Sequence, residues 1–63
     1  MPDPFDPPAE SRRRAMFAAL VVAQDHGMSV AASRTFVASR FDVPLAAVVR
    51  VQREGLAARW PPL

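Results

Sequence analysis

Cysteine is absent from this 63-residue chain, and so are lysine and tyrosine. Without cysteine there is no disulfide framework and no thiolate metal site. The single histidine, His26, cannot build a zinc site alone. Glycine occurs only twice, which rules out a Gly-rich phosphate loop. The longest apolar run is Ala15 to Ala23, far shorter than a membrane span. Acids are few as well: Asp3, Asp6, Glu10, Asp25, Asp42 and Glu54. None forms a spaced pair suited to acid–base work. Asp25 and His26 are adjacent, and adjacent helical residues do not face each other. Ser29, Ser33 and Ser39 read as a cap and as small polar helix residues. These absences exclude an independent enzyme, a cofactor, a metal and a small-molecule substrate from the expectation, and no catalytic residue is assigned.

What is present is small, basic and rich in proline. A domain of this size buries only about 60% of its unfolded surface, and small domains usually need a staple. With disulfides and metals excluded, the expected staple is a second copy or another protein. All eight basic residues are arginine, and the net charge is +2. The guanidinium fork suits phosphate oxygens, so nucleic acid is a possible partner. A GC-rich coding bias produces the same lysine-free composition.

The chain divides into an arm over 1–8, a domain over 9–60 and a tail over 61–63. The arm, "MPDPFDPP", holds four prolines and reads as extended, with Phe5 its one candidate anchor. The first helix is expected to begin near Asp6 or Pro7, with Asp6 as cap and Pro7 at the first helical position. Gly27 then stops it. Its body, apolar on all sides from Ala15 to Ala23, should be buried on more than one side. The motif "SRRRAMFAALVVAQ" has the look of an export signal, but its apolar stretch is short and follows a Pro/Asp-rich arm. We expect a structural helix, a cytoplasmic protein and no membrane association.

The second helix is expected from the Ser29 cap to Arg40 or Phe41. Val30, Val37 and Phe41 form its core stripe. Arg34 falls on that stripe and should snorkel or pair with a carboxylate. Phe36 lies off it. "DVP" is the turn, because a residue before proline leaves the helical region. The third helix starts at Pro44 or Leu45 and runs to about Arg59. Gly55 weakens it by about 1 kcal/mol, unless a close crossing needs the missing side chain. Trp60 then either seals the core or docks a partner. The fold class is all-α, a three-helix bundle.

From Ser33 to Leu56 the chain resembles the helix-turn-helix module of region 4 of bacterial sigma factors. Ala38 stands at the small position, Phe41 to Val43 form the turn, and Val48, Val51 and Leu56 match buried positions. The resemblance implies a frame whose last helix contacts DNA. The family places polar residues at the positions matching Leu45, Ala46, Ala47 and Val49. Here these are aliphatic, and aliphatic groups reach only the thymine methyl. More broadly, the chain resembles short bacterial proteins without an assigned activity that close on "REGL", a few residues, then "WPPL". Here those are Arg53 to Leu56 and Trp60 to Leu63.

Two functions follow as expectations. The first is a non-catalytic module on a helix-turn-helix-like frame, held to nucleic acid through arginine–phosphate contacts at Arg12, Arg13, Arg14, Arg50 and Arg53. It would lack strong base readout. The second is a protein-interaction subunit, either a homodimer or an accessory chain. Phe36, Leu45, Val49 and Trp60 would form its interface.

Overall fold

The computed structural model describes residues 9–63. Three helices follow in order: α1 (Glu10–Asp25), α2 (Val30–Phe41) and α3 (Leu45–Ala58). Each packs against the other two, so the fold is an all-α three-helix bundle. Among the described residues no helix is long and apolar enough to cross a membrane.

The start of α1 differs from the expectation. The helix begins at Glu10, after an extended Ala9, and not at Asp6 or Pro7. The Asp6 cap, the Phe5 anchor and the arm itself lie outside the described residues. The α2 boundary is as expected: Ser29 accepts a hydrogen bond from the Ala32 N–H at 3.0 Å. α3 begins at Leu45, with Pro44 extended before it.

All three helices end in the same hydrogen-bonded reversal. The Met28 N–H reaches back to the Ala23 carbonyl at 3.1 Å and that of Gly27 to Gln24 at 3.0 Å. The Val43 and Asp42 N–H groups repeat this on Ala38 and Ser39, and those of Trp60 and Arg59 on Gly55 and Leu56. This Schellman pattern needs a left-handed residue just past the helix, usually glycine. Only Gly27 meets that need; Asp42 and Arg59 hold φ values of 54° and 53° with full side chains. Left-handed geometry costs about 1–2 kcal/mol for an L-residue with a Cβ, less for aspartate. Arg59→Gly should therefore raise stability by about 1 kcal/mol, or some 4–8 °C in Tm. A thermal melt checks it, and an unchanged or lower Tm contradicts it.

The reversal at Arg59 has a consequence for packing. It folds Trp60 back across the end of α3, where only 4% of the residue stays exposed. Its ring meets Phe17 edge-on, with centroids 6.2 Å apart and planes at 80°. Around this pair lie Met16, Leu20, Val37, Val48 and Val51, which complete the core. Burying a side chain the size of Phe17 contributes about 1.5–3 kcal/mol.

Gly55 sits where α3 crosses α1. A Cβ there would clash with the Cδ1, Cε1 and Cγ edge of the Phe17 ring. The missing side chain is what lets the two helices meet, so the helix-weakening glycine has a packing reason.

Two side chains differ from the sequence reading. Val30 stays 46% exposed, because it opens α2 at the edge of the bundle. The core place near that end goes to Ser33, which is fully buried. Its hydroxyl donates to the Val30 carbonyl at 2.8 Å and accepts from the Gln24 amide at 3.1 Å. Leu56 is 54% exposed, against the interior place the sigma-factor frame assigns it. Its neighbour Gly55 takes the position facing Phe17, about 100° around the helix. Arg34, on the core stripe as expected, stays half-buried; of its two expected fates the carboxylate pair is not formed, and its Nε–H donates to Gln52 Oε1 at 2.7 Å.

Candidate interaction surface

The inner face of α3 carries Val48, Val51 and Gly55, which are buried. Its apolar residues continue beyond that face. Leu45, Val49 and Leu56 recur with Gln52 at intervals of four, three and four residues, a single stripe on a helix. Leu45 is 51% exposed and Leu56 54%, while Val49 is half-buried. Gln52, midway along, is fixed by the hydrogen bond from Arg34. The stripe is thus a partly apolar helix surface beside the core.

The five arginines expected at phosphate divide into two groups. Arg12 donates to the Phe41 carbonyl, and its guanidinium lies 5.6 Å from the Phe41 ring centroid. Arg13 holds Glu54 in a two-pronged pair, Nε to Oε1 at 2.7 Å and Nη2 to Oε2 at 3.1 Å. That hydrogen bond with Glu54, opposed by desolvation, raises the Arg13 pKa above its already high ordinary value. Arg14 lies over Trp60, 5.1 Å from the centroid, with Glu10 one turn away at 3.7 Å. All three tie α1 to the rest of the fold or to its own first turn.

Arg50 and Arg53 differ. Both are exposed, and neither has an ion pair or hydrogen bond among the described residues. They stand on the solvent side of α3, with Arg53 next to the apolar stripe. Trp60 is placed apart from Leu45 and Val49. Its indole belongs to the core against Phe17, so it offers a partner almost no surface.

Phe36 leads to a second surface that sequence reasoning did not find. It is 43% exposed and lines an open groove between α1 and α2, of about 460 Å³. Ala18, Ala19, Val22 and Met28 line it as well, with His26 and Arg40 as its charged or polar edges. The signal for it was available: Ala18, Ala19 and Val22 share one side of α1, and Phe36 stands off the core stripe of α2. Among the described residues no cluster of His, Asp and Glu could hold a metal ion.

Comparison with protein-family models, with curated proteins and with solved structures finds no match to this chain.

Proposed function

We propose that the protein is a non-catalytic interaction subunit that docks a second protein chain on the outer face of α3. The observation that carries this is the exposure of Leu45 and Leu56 on one helical stripe, while Val48, Val51 and Gly55 already fill the core position. An apolar face larger than the fold's own core needs marks an interface on a small protein. The engagement of Arg12, Arg13 and Arg14 within the fold supports the same reading, because it removes three of the cations that phosphate contact would use.

A second reading keeps one specific support. Arg50 and Arg53 are exposed, and without an ion pair or hydrogen bond among the described residues, on the helix that a helix-turn-helix frame would present. The left-handed Asp42 sits in the turn where such motifs often have glycine. On this reading α3 lies along phosphate without reading bases, since Leu45 and Ala46 replace polar groups at its start.

A salt titration separates the two. Phosphate binding weakens steeply with salt, with a log–log slope near −0.9 per contact on duplex DNA. The interaction reading expects no more than weak, nonspecific binding of purified protein to duplex DNA at about 50 mM salt. It also expects a protein partner that survives nuclease treatment in an extract of the native host. The Arg50→Ala, Arg53→Ala double variant should keep that partner. A tight DNA complex that the double variant abolishes would favour the phosphate reading instead.

A further inference from the structure

We infer that the groove between α1 and α2 is a second docking site, and that it takes an acidic amphipathic helix of a partner protein. This goes beyond the α3 reading, which concerns a different face.

Exposed apolar side chains gather here. Val22, Met28 and Phe36 all line this one groove, and all three are exposed. Apolar surface collected in this way on a small protein marks an interaction site. Arg12 donates to Phe41 and Gln24 to Ser33, so the two walls run antiparallel. Arg40 therefore stands at the end near Ala18, with Met28 and His26 at the other. From Ala18 to His26 the α1 wall is about 12 Å long, the length of about two turns of a bound helix.

Backbone chemistry selects a helix over a strand. Both walls are helices, whose own N–H and C=O groups are bonded within them, so a strand would find no edge to pair with. A helix satisfies its own backbone and needs only a place for its apolar stripe. Ala18, Ala19 and Ala23 keep the floor low, so such a helix can come close to α1.

Charge selects the sign. Among the described residues no acidic side chain lines the groove. Arg40 lines it, is exposed, and has no ion pair or hydrogen bond among those residues. The described domain has eight arginines against four acids. Glu10 and Glu54 already face Arg14 and Arg13. Asp25 and Asp42 stand at the C-terminal ends of α1 and α2. No described helix of a second copy therefore offers a free carboxylate one turn from an apolar stripe. A partner helix with that pattern sets its carboxylate against Arg40 while its apolar residues meet Phe36 and Val22.

The probe is a phage-displayed library of helical peptides with randomised side chains, selected against the full chain. It should yield binders with large apolar residues at helical spacing and Asp or Glu one turn away. Phe36→Ala should weaken the best of them at least about tenfold. Arg40→Glu should weaken it too, and selection against that variant should return Lys or Arg where the acids stood. Both side chains are exposed, and an unchanged melt confirms the fold. Leu45→Glu with Leu56→Glu should leave this binding unchanged, which separates the groove from the α3 face. Binders without acids, binders indifferent to Phe36→Ala, or no binders at all, would overturn the inference. So would self-association, or binding to anionic phospholipid vesicles, that Phe36→Ala abolishes, because either would assign the groove to another occupant.

Discussion

Gly55→Ala is expected to destabilise the domain by about 2 kcal/mol, although alanine is the better helix former. Two effects oppose each other. Helix propensity favours alanine by about 1 kcal/mol at an interior position. Overpacking a close contact typically costs about 1–3 kcal/mol. Here the added Cβ would overlap the Phe17 ring itself. Phe17 is 1% exposed and has Trp60 against it, so the ring has little room to retreat. The packing penalty should thus reach or pass the top of its range and decide the sign. For a domain of this size the whole stability is on the order of 3–9 kcal/mol, so the loss is a large fraction. Urea or thermal unfolding measures it. Phe17→Leu in the same background should recover part of the loss, because a smaller side chain vacates the space the Cβ needs. A Gly55→Ala variant as stable as the parent would mean that α1 and α3 do not meet this closely.

The second large effect is on binding and leaves the fold alone. Leu45→Glu with Leu56→Glu should weaken capture of the partner protein by at least about 100-fold. Each leucine buried in an interface contributes about 1.5–3 kcal/mol, and each tenfold in affinity is about 1.4 kcal/mol. Both side chains are about half exposed in the free protein, so little of the core depends on them. Leu45 also opens α3, where the helix dipole favours a carboxylate. Circular dichroism and melting should match the parent. A double variant that unfolds would show that the stripe belongs to the core and not to an interface.

Much of the fold was legible because local rules and packing agree. Gly27, the Ser29 cap and the Val43–Pro44 pair set boundaries that any packing would respect, and the structure keeps them. Legibility ended where a choice depended on a neighbouring helix. Val30 and Ser33 both lie near the inner side of α2, and apolar character alone selects Val30. What reverses this is the bundle's edge, together with a Gln24 amide that satisfies the Ser33 hydroxyl. Leu56 was misplaced for a related reason: a small residue, Gly55, takes the crossing point, so its large neighbour turns outward. The arginines show the same limit. A triplet at the start of a helix offers three candidate phosphate contacts, yet Phe41, Glu54 and Trp60 each engage one member from distant positions. The stripe from Leu45 to Leu56 was partly legible. Leu45 and Val49 were expected on an interface side of α3, and the structure adds the exposed Leu56 to the same stripe.

Parallel affinity capture addresses the central claim, that the outer face of α3 docks a protein. Tagged full-length parent and the Leu45→Glu, Leu56→Glu double variant would be recovered from nuclease-treated extract of the native host. Untagged copies of the chain would count among the partners. The account predicts a defined partner with the parent, retained without nucleic acid, and its loss with the double variant at equal folded protein. Equal recovery of the partner by both, or recovery that disappears with nuclease, would contradict it.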